Sequence, residues 1–295
     1  MTGTPKNPAD DLRESEVVMP VDLVLVRHGR SEGNEAREQS KQGDNSCYTG
    51  EFRARLNRDW RLTDLGIAQA EAAGHWIREH VSPTFSRYYT SEYLRARETA
   101  AHLRLPKARW VQDILLRERS WGRADFVMPE SERFERFSAE LSERKEDPCY
   151  WRPPEGESLA EVCLRVERVL NTLRRDCPGG SCIVSTHEDV RWAARFLIEG
   201  MTQEQWCGLL LSDDPRDKIH NGQVLHYSRK DPATGQCSNR LEWVRSACPW
   251  DPARSTDHWR RIEPPSFSNE ELLASVAAVK RLIAGPPDDS WVRAE

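Results

Sequence analysis

Leu23-Val24-Leu25-Val26-Arg27-His28-Gly29 and, far downstream, Cys182-Ile183-Val184-Ser185-Thr186-His187 are two apolar runs that each pass directly into a histidine. Neither run alternates apolar with polar residues, so each reads as a strand buried on both faces, as in a parallel sheet covered by helices. In open α/β sheets, ligands bind outside the carboxyl ends of the strands. Two histidines delivered to that edge, one preceded by an arginine, point to a site for an anion. A histidine there can serve as both nucleophile and charge clamp near neutral pH.

The rest of the chain supplies the layers around these strands. The first strand spans about 21–27, and a long polar stretch from Arg30 to Arg61 follows it, expected as loop and irregular helix over the site. Thr63 begins a helix in which Leu65, Ala68, Ala72, Trp76 and Ile77 recur at helical spacing. Short strands are expected at Arg87–Thr90 and near Arg109-Trp110-Val111, with a helix between them running from Ser91 through Leu103. Residues 119–155 are rich in charge, with Phe134, Phe137 and Leu141 spaced like one helical face, and read as an inserted helical cap closed by Pro153-Pro154. Ser158-Leu159-Ala160-Glu161 has the form of a capping box, and the stripe Leu159, Val162, Cys163, Val166, Val169, Leu170, Leu173 behind it is core. A strand at 182–186, a helix at 189–199 and a strand at 223–228 complete the alternation. The pattern predicts an α/β fold: a three-layer sandwich with a mostly parallel central sheet flanked by helices.

Three segments follow from this layout: a disordered arm at 1–19, a main domain at 20–228 with the cap inserted, and a C-terminal extension at 229–295. The extension carries Trp243, Trp250, Trp259 and Trp291, and a second capping box at Ser268–Glu271 opens a helix expected to end near Gly285. That many tryptophans are unfavourable to leave wet, so the extension is expected to pack on the body, to shape a pocket, or to serve a dimer contact.

Composition narrows the function. The chain has 295 residues, 31% charged and 38% hydrophobic, with a formal net charge of −5. An acidic chain lacks the basic footprint that a nucleic-acid backbone requires, but a local basic pocket for a small anion remains open. The 8 cysteines include no C-x-x-C pair, and Cys163 and Cys182 fall in apolar patterns, so a reduced, cytoplasmic protein is expected. The first residues lack the apolar segment of a secretory signal, and no run reaches membrane-spanning length. A small anion is the expected ligand, with no nucleic acid and no membrane as partner, and a homodimer is admissible.

Three further segments carry chemistry. Arg27-His28-Gly29 sits where a strand turns into a loop, and glycine there permits both a tight bend and close ligand approach. Taken alone it is a surface turn; its place after a buried strand makes it a site. Thr90-Ser91-Glu92-Tyr93-Leu94-Arg95 opens a helix, whose N-terminus favours anions, with Arg95 in the first turn. Alone, Arg95 would be a surface ion-pair former. Glu118, between Arg117 and Arg119, would alone be a solvated ion pair, but ester cleavage needs an acid for the leaving oxygen. The remaining histidines read as packing or surface residues, with His220 and His226 flanking the last strand near the site. Asp213, Asp214 and Asp217 form an acidic turn at Pro215, and no His/Cys set has metal spacing, so no metal and no cofactor are expected.

Together these pieces resemble the histidine phosphatase superfamily, in its phosphoglycerate-mutase-like branch. Leu25-Val26-Arg27-His28-Gly29 with Ser31 and Asn34 is similar to the family's opening signature. Leu62-Thr63-Asp64-Leu65-Gly66 with Gln69-Ala70 resembles its next helix start. Ser91–Ala96 with Thr99-Ala100 resembles the segment carrying a second arginine, Glu118 in Glu-Arg-Ser-Trp-Gly its acid, and Ser185-Thr186-His187 its second histidine. These motifs span about 21–228. The resemblance, and it alone, implies that the anion is a small phosphorylated substrate and the protein a phosphomonoester hydrolase in which His28 becomes phosphorylated. It also implies that Arg27, Arg95 and a protonated His187 hold the phosphoryl oxygens, Asn34 adds a hydrogen bond, and Glu118 donates the proton. A mutase using the same phosphohistidine is the nearest alternative, and a non-catalytic phosphate-binding scaffold a further one. Two positions depart from the family pattern. Glu188 follows the second histidine where glycine is frequent, and Arg30 stands where an acidic residue or glutamine is frequent.

Overall fold

The computed structural model describes residues 18–283. A seven-stranded sheet has the order β3-β2-β4-β1-β5-β6-β7. Its strands are β1 (Asp22–Arg27), β2 (Arg87–Thr90), β3 (Val111–Gln112), β4 (Ser181–Thr186), β5 (Val224–Ser228), β6 (Trp243–Ala247) and β7 (Thr256–Arg261). The helices, in chain order, begin with α1 (Glu32–Lys41), α2 (Gly50–Ala54), α3 (Asp64–His80) and α4 (Leu94–His102). They continue with α5 (Glu130–Arg136), α6 (Ser138–Glu146), α7 (Leu159–Asp176), α8 (Glu188–Glu199), α9 (Gln203–Leu211) and α10 (Asn269–Ala277).

The two quoted strands are neighbours, and their register brings the histidines together. β1 and β4 pair in parallel from Asp22↔Ser181 to Arg27↔Thr186, so His28 and His187 leave the sheet side by side. The His28 N–H extends the ladder by donating to the Thr186 carbonyl at 2.9 Å. Alternate residues of these strands fill opposite cores, which is why neither strand shows a polar face. Leu23, Leu25, Cys182 and Val184 pack with the α7 stripe and with Val190, Ala193 and Ala194 of α8. Val24, Val26 and Ile183 pack with Ala73, Trp76 and Ile77 of α3. Each fully buried aliphatic side chain contributes roughly 1.5–3 kcal/mol relative to exposure. The result is the expected three-layer α/β sandwich. Both capping boxes form as read, at Ser158/Glu161 and at Ser268/Glu271.

The sheet is less parallel than the sequence suggests. The β1–β4, β2–β4 and β2–β3 ladders are parallel, whereas β1–β5, β5–β6 and β6–β7 are antiparallel. The connections from β5 to β6 and β6 to β7 contain no crossover helix, and strands joined that way pair antiparallel. The sheet therefore continues past residue 228 into the C-terminal segment. Contacts divide the chain into Met1–Glu263 and Pro264–Glu295 rather than at 228. The second unit contains α10, which ends at Ala277; Gly285 and Trp291 lie outside the described residues.

Three local readings change. Residues 1–17 of the expected arm lie outside the described residues, but Met19 packs against the first core and its carbonyl accepts from Arg229 Nη1 at 2.9 Å. In the cap, the helix breaks at Phe137 (φ −127°, ψ 30°), so α5 and α6 are out of phase. Phe137 and Leu141 are buried with Trp121, Ala124 and Trp151, while Phe134 is exposed. The cysteines are free thiols among the described residues, with Cys182 fully buried and Cys163 partly so.

Candidate active site

His28 is buried to within 2% of its surface at the end of β1. Its Nδ1 lies 2.7 Å from the Gly29 carbonyl. A carbonyl can only accept, so Nδ1 carries the proton and Nε2 keeps its lone pair. That lone pair accepts from Arg95 Nε at 3.1 Å. Burial, then Arg95 and Arg27, hold the imidazole pKa well below its ordinary value, so the ring is neutral at pH 7. The loop after it is fixed by close backbone passage. A Cβ on Gly29 would lie 2.1 Å from the Gly66 carbonyl oxygen, and one on Gly66 would lie 2.1 Å from the Arg30 carbonyl oxygen. Gly29 N–H donates to Thr99 Oγ1 (3.0 Å), and Arg30 N–H to Gln69 Oε1 (2.9 Å). The motif residues Gly66, Gln69 and Thr99 thus hold the His28–Arg30 loop without lining the cleft.

Arg95, in the first turn of α4, is 5% exposed; besides His28 it donates from Nη1 to the Asn57 carbonyl (2.6 Å). Its Nη2 has no partner among the described residues. Arg27 donates to the Ile219 carbonyl (2.6 Å) and forms an ion pair with Glu188 (2.8 Å), while its buried Nε has no partner. Asn34, in the first turn of α1, accepts at Oδ1 from Ser31 and from Asn221 Nδ2 (3.2 Å), which leaves its Nδ2 for a ligand.

His187 is the N-cap of α8 and is fully buried. Its ring centroid is 5.1 Å from that of His28. Its Nε2 is 2.8 Å from Ser91 Oγ, and its buried Nδ1 has no hydrogen-bond partner, lying 4.0 Å from Glu118 Oε2. Burial, then Arg95 and His28, hold its pKa well below the ordinary imidazole value. The expected protonated His187 is thus neutral before substrate arrives, and the standing positive charge comes from the arginines. Glu118 accepts from the N–H groups of Arg119 (2.9 Å) and Asp189 (3.3 Å). Burial, then the Asp189 carboxylate, push its pKa up to about 7.

These groups meet at a cleft of about 200 Å³ whose wall includes Arg27, His28, Asn34, Arg95 and Glu118. His187 lies beneath that wall. Glu188 is on the wall; Arg30 is not, being paired with Glu35 at 2.6 Å. Sequence reading missed Arg37, Asn57, Trp121, Phe126, Arg144 and Asp189, which with Ser31, Gly33 and Trp60 complete the wall. Arg144, on the exposed-looking charged cap, lies over Trp121 (4.9 Å) and Trp151 (5.9 Å). Arg119 and Arg133 are 2% exposed and likewise stacked on cap aromatics. His220 and His226 do not reach the cleft: His220 Nε2 lies 2.6 Å from the Pro215 carbonyl, and His226 Nε2 2.9 Å from Asp22. The acidic turn is internally paired, through Asp214 to Arg216 and Asp217 to Ser212.

His28, Glu118 and His187 offer ligand atoms within 4.8 Å of one another. The His28 lone pair already accepts from a guanidinium, and a cationic neighbour disfavours a metal ion there. The donor set fits an anion: guanidinium N–H groups and a free amide N–H₂.

Comparison with known proteins agrees with this chemistry. The profile of the histidine phosphatase superfamily (branch 1) matches residues 23–213. A 2,3-bisphosphoglycerate-dependent phosphoglycerate mutase of Methylorubrum populi is 29% identical over 232 residues, covering 75% of this chain and 95% of the relative. One from Methylobacterium sp. is 30% identical over 203 residues, covering 64% and 86%. Among solved structures, a putative α-ribazole-5′-P phosphatase from Escherichia coli superposes with a TM-score of 0.55 at 18% identity, covering 75% and 98%. A mycobacterial glucosyl-3-phosphoglycerate phosphatase in complex with inorganic phosphate superposes at 0.53 and 19%, covering 70% and 89%. The chain belongs to the histidine phosphatase superfamily, branch 1.

Proposed function

We propose that the protein is a metal-independent phosphomonoester hydrolase acting through a phosphohistidine on His28. The observation that carries this reading is the His28 tautomer: Nδ1–H is committed to the Gly29 carbonyl, and the Nε2 lone pair is held neutral in an arginine-lined cleft. Nε2 attacks phosphorus in line. Arg27, Arg95 and the Asn34 amide hold the phosphoryl oxygens, where charge concentrates in the transition state. An arriving dianion raises the proton affinity of the adjacent His187, which then adds a donor to the phosphoryl group. Glu118, poised near pH 7, gives its proton to the departing oxygen and afterwards takes one from the attacking water.

A mutase is the second reading, favoured by the phosphoglycerate mutases at 29–30% identity. It requires returning the phosphoryl group to a second hydroxyl with water excluded. Glu188 and Asp189 place carboxylates on the wall where such a substrate would carry further negative charge, so hydrolysis is preferred. Release of phosphate is to be measured from small esters, including 3-phosphoglycerate, glucosyl-3-phosphoglycerate and α-ribazole 5′-phosphate, with chelator present and with or without a bisphosphate primer. Primer-independent, chelator-insensitive release that disappears in His28→Ala is expected. Isomerisation that needs primer would replace hydrolysis with the mutase reading, and ester binding without turnover would replace both.

A further inference from the structure

The turn between β6 and β7 lies off the cleft wall, yet it braces the loop behind the nucleophile. Residues 212–223 join α9 to β5, and this loop touches three groups of the site from behind. The Ile219 carbonyl accepts from Arg27 Nη1 at 2.6 Å. Asn221 Nδ2 donates to the His28 carbonyl at 3.0 Å and to Asn34 Oδ1 at 3.2 Å. The Gly222 N–H donates to the Arg27 and His28 carbonyls at 3.1 and 3.2 Å. The loop is held in turn by residues 248–255. Trp250 Nε1 donates to the Asn221 carbonyl at 2.7 Å. Arg254, over the Trp250 ring at 5.3 Å, pairs with Asp251 (2.6 Å) and meets His220 Nδ1 at 3.0 Å. His220 closes the far end of the loop through the Pro215 carbonyl.

The geometry points to the β6–β7 turn as a clamp on the nucleophile, with Asn221 and Trp250 as positioning residues for phosphoryl transfer. Neither lines the cleft. Trp250 fixes the Asn221 backbone; the Asn221 amide fixes the carbonyl of His28 and the rotamer of Asn34. A shift of the His28 backbone moves Nε2 relative to Arg95, and small displacements of a nucleophile cost rate steeply. The C-terminal extension therefore reaches the active site through this loop, with the Trp250 indole N–H on Asn221 as the contact nearest His28.

This inference rests on the reading of His28 as the nucleophile, so its test has one arm that needs no turnover. Trp250→Phe removes the N–H and keeps the ring; Asn221→Ala removes the bridging amide. Trp259→Phe is the control, because that ring packs on His226 away from the loop. Trp250→Phe is expected to lower kcat about tenfold with little change in KM, Asn221→Ala to lower it at least as much, and the double variant no further than Asn221→Ala. In nitrogen-15 spectra of the ligand-free protein, the His28 ring signals are expected to shift in Trp250→Phe and to stay in place in Trp259→Phe. Should Trp250→Phe not fold, Arg254→Met loosens the same turn and carries the same expectation. A lower melting temperature with unchanged kcat and unchanged His28 signals overturns the clamp. Multiplicative losses in the double variant overturn the route through Asn221. A wild type without turnover would sink the proposed hydrolysis, whereas the ring signals would still decide the clamp.

Discussion

Glu188→Gln is expected to tighten binding of inorganic phosphate and vanadate by about 5- to 100-fold. The Glu188 carboxylate sits 2.8 Å from Arg27, on the guanidinium that the proposed mechanism assigns to the incoming phosphate. The Glu188 side chain is 40% exposed, so solvent screening limits the pair to roughly 1 kcal/mol. A phosphate dianion on that guanidinium would also face the carboxylate. At about 4 Å in water-like surroundings, each unit of charge costs about 1 kcal/mol. Lost competition and lost repulsion together amount to about 1–3 kcal/mol, and each 1.4 kcal/mol is about tenfold in affinity. Glutamine keeps the shape and the hydrogen-bonding reach, so the change isolates charge. Titration calorimetry with phosphate, and competitive inhibition by vanadate, at pH 7 and two salt concentrations would measure it. The gain should shrink at high salt, because the pair is partly exposed. Unchanged or weaker anion binding would show that Glu188 does not share Arg27 with the phosphoryl group, and the assignment of Arg27 would be wrong with it.

Other expectations follow from the same geometry. Glu118→Gln should cut kcat by about 10²–10⁴-fold for esters with poor leaving groups, and less for activated aryl esters that need no proton. The wild-type rate should fall as pH rises through about 7, where Glu118 loses the proton it must donate, and this limb should vanish in Glu118→Gln. Stability carries a matching signature in thermal melts. Glu118 has its folded pKa raised from an ordinary 4.5 to about 7, so between those values the native state binds the extra proton and stability declines with pH. His28 and His187 act the opposite way: their folded pKa values are lowered, so stability is present above about 6.5 and is lost as pH falls below it, where the unfolded rings charge first. The stability difference between wild type and Glu118→Gln should therefore fall as pH rises from about 5 to about 7, and a difference that stays flat would contradict the first assignment. Gly29→Ala should abolish activity and lower the melting temperature, because its Cβ has no room against Gly66; a fully active, stable variant would refute the close passage.

The sequence exposed those parts of the site that are written in local pattern. β1 and β4 are largely apolar runs with a histidine directly after each, so the sheet edge at which His28 and His187 meet is legible from strand burial. The capping boxes at Ser158 and Ser268 need only a four-residue window. What stayed hidden depends on tertiary partners. Strand β7, Thr-Asp-His-Trp-Arg-Arg, is half exposed at the sheet edge and has no apolar alternation to reveal it. Arg119, Arg133 and Arg144 sit in a charged stretch that reads as solvated helix, but aromatic faces of the cap and backbone carbonyls take up their guanidinium groups. Phe134 shares a helical period with Phe137 and Leu141 in the sequence, but the break at Phe137 turns it to solvent. Asn221 and Trp250 lie in turns without periodicity, and only the fold brings them behind His28.

The central claim is that Nε2 of His28 takes the phosphoryl group. Rapid mixing with a phosphorus-32 ester, a denaturing alkaline quench and peptide mapping tests it directly. Base-stable, acid-labile label on the peptide containing His28, reaching toward one phosphate per chain in the pre-steady state and absent in His28→Ala, is the predicted result. Turnover without such label, or label on a different residue, would contradict the account.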